Sequence, residues 1–159
     1  ALPILIIYPL ILFLIALPLT EDNSARRESK IIKTLKLKAE SSKLTVVSHG
    51  KEYSGSLVFY TGEKIYRLET KADFEKYRPQ KMSWTSKNVM PFMTFDELPA
   101  DKSVVAVVSA DYEESFLRNA AGSWKIIGEI PQGELESLAE KIFYDRERRE
   151  LKSKIYWRE

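Results

Sequence analysis

The stretch SVVAVVS, residues 103–109, is a continuous apolar run of strand length, and it decides the fold class. A run without polar alternation is typical of a central strand that is buried on both faces. The next residues, ADYEESFLRN, follow Ser109 as a helix N-cap and carry Asp111, Glu113 and Glu114 in the first turns, where the helix dipole favours negative charge. The run therefore predicts a buried strand that leads directly into a helix.

Further strand and helix signals alternate outward from this run. LTVV at 44–47 and SWKIIGEI at 123–130 have strand character, and Thr70 and Thr94 each begin a capping motif ahead of a short helix. SLVFY at 56–60 and KIYRLE at 64–69 flank TGE, whose Gly62 suits a tight turn, so they predict a β-hairpin. This order predicts an α/β layer domain with a mixed, partly parallel sheet.

The N-terminal residues 1–19, ALPILIIYPLILFLIALPL, contain no charged side chain. As a helix they would extend about 28 Å, close to the thickness of a bilayer's hydrocarbon core, so they are predicted to be a transmembrane helix kinked at Pro9. A cleaved signal peptide is disfavoured because a basic leading region and a small-residue cleavage site are missing. A proline-bearing span with no Met before it is expected to be the last helix of a longer polytopic protein.

The rest of the chain divides into three segments. Residues 20–43 are predicted to be a basic amphipathic juxtamembrane helix, with apolar Ile31, Ile32, Leu35 and Ala39 at helical spacing. Residues 44–131 are predicted to form the α/β domain, and residues 132–159 a C-terminal charged helix. The last residues, KIYWRE, are expected to be an irregular terminus, although Trp and Tyr also favour a membrane interface.

Composition excludes several classes of function. The chain has no cysteine, one histidine and a formal net charge of +2. The missing cysteine excludes disulfides, thiolate metal sites and a cysteine nucleophile, and the net charge is too small to indicate nucleic acid binding. His49 ends an apolar run and is interpreted as a solvated loop residue. Recognised nucleotide, metal and catalytic motifs are missing from the sequence, and helix N-termini explain the adjacent carboxylates. No catalytic residue, metal site or cofactor is therefore predicted in this chain.

The strongest candidate for a binding site is a basic cluster in the juxtamembrane helix. It consists of Arg26, Arg27, Lys30 and Lys33, with Lys36 and Lys38 beyond them. A basic residue near anionic lipid contributes about 1 kcal/mol, so contact with a lipid headgroup or a lipid phosphate is one interpretation. The other is a solvated helix face on which Glu28 and Glu40 are the partners of these charges. The sequence leaves both open.

Several segments together resemble the end of a known membrane enzyme. They are the apolar span followed by DNSARRESKIIKTL, LTVVS, SLVFYTGEKIYRLE, SVVAVVS and GSWKIIGEI. These are similar to the C-terminal end of bacterial lipid-linked-sugar glycosyltransferases of the dolichyl-phosphate-mannose–protein mannosyltransferase type, including the aminoarabinose transferases that act on lipid A. In that group a many-spanning membrane part precedes a small extracytoplasmic α/β domain. The resemblance covers nearly the whole chain.

This resemblance implies transfer of a sugar from a polyprenyl-phosphate donor to lipid A, a glycan or a protein by an inverting displacement. A carboxylate would deprotonate the acceptor, and positive charge would stabilise the leaving lipid phosphate. That carboxylate belongs to an external loop for which this chain has no counterpart, so no catalytic residue is carried over. The chain is expected to be integral to the inner membrane, in contact with the bilayer, with its domain outside the cytoplasm.

An alternative is a single-pass, membrane-anchored α/β domain that binds a partner without catalysis. Arg26, Arg27, Lys30 and Lys33 follow the span closely, and in a single-pass protein such charges favour a cytoplasmic domain. Earlier spans would override that bias. The side of the membrane on which the domain lies therefore distinguishes the two hypotheses.

Overall fold

The computed structural model describes residues 25–38, 44–50, 55–76, 88–132 and 151–158, and the six strands in these ranges form one mixed sheet. The strands are β1 (Leu44–His49), β2 (Ile65–Glu69), β3 (Phe92–Thr94), β4 (Ser103–Ser109), β5 (Lys125–Pro131) and β6 (Leu151–Arg158). The helices are α1 (Arg26–Lys38), α2 (Gly55–Thr61), α3 (Lys71–Lys76) and α4 (Glu113–Asn119), with 3-10 turns at Phe95–Glu97 and Ala110–Tyr112. The predicted fold class, an α/β domain with a mixed and partly parallel sheet, is confirmed.

The sheet order is β3-β2-β1-β4-β6-β5. Strand β1 pairs in parallel with β2 on one side and with β4 on the other, and β3 extends the parallel part beyond β2. Strand β6 lies between β4 and β5 and is antiparallel to both. Successive strands are therefore added on one side of β1 up to β3 and on its other side from β4 onward. At this change of side, the carboxyl ends of the parallel strands β1 and β4 lie next to each other.

Strand β4 is the centre of the core, as its apolar run predicts. Val105 and Val107 face one apolar cluster, which contains Ile32 and Leu35 of α1 and Leu57 of α2. The alternate β4 residues, Val104, Ala106 and Val108, face a second cluster that contains Phe116 of α4 and Tyr156 of β6. Helices α1 and α2 therefore cover one face of the sheet, and α4 covers the other.

The predicted hairpin at residues 56–69 is wrong, because residues 55–61 form helix α2. Parallel pairing of β1 with β2 requires a crossover connection, and α2 supplies it. Leu57 is completely buried and Phe59 is 80% exposed, which suits opposite sides of a helix better than one face of a strand. Gly62, at φ +69°, donates its N–H to the carbonyl of Val58 at 2.9 Å. It therefore ends a helix in the left-handed conformation rather than forming the turn of a hairpin.

The predicted C-terminal charged helix is wrong over its last residues, because Leu151–Arg158 is strand β6. Ser153, Ile155 and Tyr156 are buried, and the strand makes backbone pairs on both of its edges. Interior pairing on two sides outweighs the helical preference of the charged residues that precede the strand. The remainder of that prediction, residues 133–150, lies outside the described residues.

The predicted membrane span at residues 1–19 also lies outside the described residues. In the part of the chain that the structure describes, no helix is both long and apolar enough to cross a bilayer. Within the segment 20–43 that was predicted to be an amphipathic helix, a helix is observed over Arg26–Lys38. Both predicted capping motifs are observed, since the N–H of Asp73 bonds to Thr70 Oγ1 at 3.1 Å and the N–H of Thr94 bonds to Glu97 Oε2 at 2.7 Å. Ser109 precedes a 3-10 turn, and its side chain makes no capping bond.

Candidate functional site

The basic residues singled out in the sequence lie on α1, and the buried face of this helix fixes their direction. Ile32 is fully buried and Leu35 nearly so, both against the sheet. Glu28 is also buried, and its carboxylate accepts a hydrogen bond from Ser153 Oγ of β6 at 3.2 Å. The expectation that Glu28 belongs to a solvated charged face is therefore wrong, because this side chain points to the sheet.

Arg26, Arg27, Lys30 and Lys33 are all exposed on the side of α1 that faces away from the sheet. At about 100° per residue, Arg26, Lys30 and Lys33 form a strip along one line of the helix, and Arg27 lies on its flank. Lys36 is not part of the strip, since it forms an ion pair with Glu63. Within the described ranges, no carboxylate pairs with Lys30 or Lys33. The structure thus brings three of the four predicted residues together.

Aromatic side chains of α2 and a leucine further along α1 extend this strip. The Arg26 guanidinium lies over the Tyr60 ring at 5.2 Å, and the Phe59 and Tyr60 rings pack edge to face at 5.3 Å. Leu37, one turn beyond Lys33, is 89% exposed. We name these residues the α1–α2 outer surface: Arg26, Lys30, Lys33, Leu37, Phe59 and Tyr60.

The apolar members of this surface were not predicted as site residues. The predicted hairpin places Phe59 in a strand on the same face as Leu57, so its exposure is not expected from that prediction. The signal for Leu37 is present in the pattern, because it falls outside the stripe of Ile32 and Leu35 and is flanked by Lys36 and Lys38. Helical phase alone places Leu37 on the basic side.

His49 is buried, which corrects its interpretation as a solvated loop residue. Its ring lies edge to face with Phe95 at 5.2 Å and with Tyr112 at 5.6 Å. Nδ1 is 2.7 Å from the carbonyl oxygen of Leu68, and since a carbonyl only accepts, this nitrogen carries the proton. Nε2 is buried without a partner in the described part of the chain.

The position of His49 is notable for its topology. The residue ends β1 beside the end of β4, and ligands in open α/β sheets bind where the strand order reverses at such carboxyl ends. Here the aromatic rings of Phe95 and Tyr112 occupy the space around the imidazole. The contacts of His49 are therefore those of a core residue that packs against aromatic side chains.

A charged cluster links the start of α4 to β6. Glu113 Oε1 accepts hydrogen bonds from Lys154 Nζ, at 2.8 Å, and from the Tyr156 hydroxyl. Burial favours a higher pKa for Glu113, but the hydrogen bonds from Lys154 and Tyr156 and the Lys154 charge outweigh it and lower the pKa below the usual range. The hydrogen bond to Glu113 raises the pKa of Lys154. Burial, followed by the bond to Glu113, raises the pKa of Tyr156.

The sequence explained Glu113 by the preference of helix N-termini for negative charge, and it did not foresee these partners. Its neighbour Glu114 fits the simple explanation, since it pairs with Arg118 across one helical turn on the surface. The carboxylate of Glu113 instead connects two elements that are 41 residues apart in the chain. Glu113 is therefore placed as a structural link between α4 and β6, because Lys154 and Tyr156 both donate charge-assisted hydrogen bonds to the same carboxylate oxygen.

An open cleft of about 670 Å³ lies near the amino end of β4, away from the carboxyl end of β1 where His49 lies. Its lining consists of Ala100, Ala121, Gly122, Ser123, Lys125, Ile127, Trp157 and Arg158. The Arg158 guanidinium is engaged, since it donates to the carbonyl of Ala121 at 3.0 Å and lies over the Trp124 ring. The cleft therefore has volume for a small molecule but few polar groups that converge on one point.

Within the described ranges, no group of His, Asp and Glu side chains is arranged to hold a metal ion. The chain matches no protein-family model, no curated protein and no solved structure. Its function therefore has to be inferred from the residues and their contacts, among which the α1–α2 outer surface is the most distinctive.

Proposed function

We propose that this chain is the C-terminal part of an integral membrane glycosyltransferase, which transfers a sugar from a polyprenyl-phosphate donor to an extracytoplasmic acceptor. In this proposal residues 1–19 are the last membrane span, in the inner membrane, and the α/β domain lies outside the cytoplasm. The acceptor class is lipid A, a glycan or a protein. The domain contributes positioning and charge, and the catalytic carboxylate belongs to the membrane part.

The observation that carries this proposal is the docking of α1 with its basic strip outward. Helix α1 begins at Arg26, seven residues after Leu19, and a fully extended chain of that length reaches roughly 25 Å at most. Ile32 and Leu35 hold the helix against the sheet, so its basic strip has a defined direction relative to the domain. A span that ends at Leu19 would therefore keep the strip close to the membrane surface.

A basic strip at that place suits the chemistry of a lipid-phosphate donor. When the sugar is transferred, negative charge develops on the leaving polyprenyl phosphate, and preorganised positive charge stabilises it. Lys30 and Lys33 are suited to this role because neither has a carboxylate partner among the described residues. Their contribution would be electrostatic and would weaken as the salt concentration rises.

The segments that carry the family resemblance fit a supporting role. SLVFYTG comprises most of helix α2 and its terminating glycine, and SVVAVVS is the buried central strand β4. Both are elements of the scaffold, and neither presents a catalytic group. This agrees with a domain that shapes access for the donor or the acceptor while the reaction takes place in the membrane part.

The decisive experiment expresses the complete reading frame that encodes this chain and assays membranes for transfer from polyprenyl-phosphate-linked sugars. We expect transfer, and we expect Lys30→Gln/Lys33→Gln to raise the KM for the donor several-fold at low salt. Lys71→Gln/Lys102→Gln removes two exposed charges from other parts of the domain and should leave transfer unchanged. A reading frame without further membrane spans, or membranes that transfer no sugar, would refute the proposal.

The second candidate, a single-pass anchored binding domain, is favoured by the basic residues that follow the span, which bias a single-pass protein to a cytoplasmic domain. The lack of cysteine in this chain allows a direct test with Lys102→Cys, an exposed position. A membrane-impermeant maleimide applied to spheroplasts should label this residue if the domain is extracytoplasmic. Labelling only after permeabilisation would favour the second candidate, and the parent protein without the substitution is the blank.

A further inference from the structure

We propose that the α1–α2 outer surface lies on an anionic bilayer, with Leu37 and Phe59 inserted among the headgroups and the basic strip against lipid phosphates. This interaction goes beyond sugar transfer and does not depend on it. It concerns how the domain is oriented on the membrane, and it makes α1 and α2 a second attachment in addition to the apolar segment.

Helices α1 and α2 present their outer faces on the same side of the domain. Ile32 and Leu35 of α1 and Leu57 of α2 are buried in one cluster on a single face of the sheet. Residues on the opposite sides of these helices therefore point away from the sheet in the same general direction. The contact between Arg26 and the Tyr60 ring joins the two helices at this surface.

Two apolar side chains on this surface are almost fully exposed. Leu37 is 89% exposed and Phe59 is 80% exposed, whereas Leu117 and Ile126, elsewhere in the domain, are 52% and 51% exposed. A single exposed apolar residue is ordinary in a globular protein. Leu37 and Phe59 differ because they project on the same side of the domain beside charged and aromatic groups. Leu37 continues the row of cations on α1, and Phe59 packs against the Tyr60 ring.

The charge of the surface selects its partner. Arg26, Lys30 and Lys33 line the α1 side, and protruding apolar and aromatic groups beside such a strip are typical of surfaces that bind anionic lipids. A second copy of the same surface would place like charges opposite each other. Phosphate headgroups above an acyl region complement both the charges and the apolar groups, so the bilayer is the partner that the chemistry fits.

The test uses site-specific spin labels in the full chain, which is possible because the sequence has no cysteine. Leu37→Cys and Phe59→Cys carry the label on the proposed surface. Leu117→Cys is the matched control, since Leu117 is an exposed leucine on α4, which covers the other face of the sheet. Each variant is reconstituted into vesicles of phosphatidylcholine alone or of phosphatidylcholine with phosphatidylglycerol, and collision rates with oxygen and with a water-soluble nickel complex are measured.

We expect the labels at positions 37 and 59 to become several-fold more accessible to oxygen relative to nickel in the phosphatidylglycerol vesicles, while the label at position 117 stays accessible to water. Adding Lys30→Gln/Lys33→Gln, or raising the salt concentration, should reduce this shift. Circular dichroism of every variant verifies that the fold is intact.

Two results would overturn the inference. The labels at 37 and 59 could match the water accessibility of the label at 117, or their protection could be the same with neutral and anionic lipid. The second result would remove the role of the basic strip. Sugar transfer is measured separately, so failure of this inference and failure of the proposed function are distinguishable.

Discussion

Replacing Glu113 with alanine should destabilise the domain far more than its surface position suggests. Tyr156 is only 2% exposed, and without Glu113 its hydroxyl loses the carboxylate to which it donates. A buried hydroxyl left without a partner costs about 1–3 kcal/mol. Lys154 also loses its 2.8 Å partner and keeps Glu129 at 3.8 Å, which adds roughly 0.5–1 kcal/mol for a partly exposed pair. The expected loss in the free energy of unfolding is therefore about 1.5–4 kcal/mol.

The assay is urea unfolding of the full chain in a constant detergent, followed by circular dichroism. Glu114→Ala is the matched control, because this adjacent carboxylate is 87% exposed and its partner among the described residues is the exposed Arg118. The change should alter stability by less than about 0.5 kcal/mol. The double variant Glu113→Ala/Tyr156→Phe removes the orphaned hydroxyl as well. It should recover about 1–2 kcal/mol relative to the sum of the single changes.

The reasoning would be refuted if Glu113→Ala and Glu114→Ala had equal effects, because the link between α4 and β6 would then carry no energy. Strict additivity in the double variant would refute a narrower point. It would mean that Glu113 and the Tyr156 hydroxyl do not interact in solution, whatever the total loss.

Three other substitutions test the pH dependence of Glu113, the packing at two glycines and the helical crossover α2. The fold lowers the pKa of Glu113, so the stability this carboxylate contributes is present above its unfolded pKa of about 4.3 and is lost as pH falls through the folded pKa. The difference in urea midpoint between the parent and Glu113→Gln should therefore shrink below about pH 4. A difference that stays constant with pH would contradict a lowered pKa for Glu113. Gly50→Ala should destabilise the domain by more than about 2 kcal/mol, since φ is +71° and the new Cβ would clash with the Tyr112 ring. Gly62→Ala, at φ +69° with open space around it, should cost only about 1–2 kcal/mol. Equal thermal midpoints for the two variants would count against the packing of Tyr112 on Gly50. Leu57→Ala should cost about 2–5 kcal/mol by leaving a cavity under α2, while Phe59→Ala on the same helix should change stability by less than about 0.5 kcal/mol in urea unfolding. Similar losses at the two positions would instead favour the hairpin, in which both side chains lie on one face of a strand.

The candidate site was predictable in part. Features that depend on residues close in sequence were predicted, and features that depend on contacts between distant segments were not. The basic strip of Arg26, Lys30 and Lys33 was recognisable because helical phase is a local property, and α1 has the expected apolar stripe. Phe59 was missed because its exposure depends on whether its segment is a helix or a strand. The burial of His49 was missed because the rings around it come from distant parts of the chain.

By itself, the sequence determined the central strand at Ser103–Ser109, helix α1 and the α/β class, because each rests on a pattern of apolar residues within one segment. Only the tertiary structure decided that Gly55–Thr61 is a helical crossover and that Leu151–Arg158 is a strand between β4 and β5. Such short segments can satisfy their backbone hydrogen bonds as either helix or strand. The choice is made by pairing with distant strands, whose free energy exceeds any local preference.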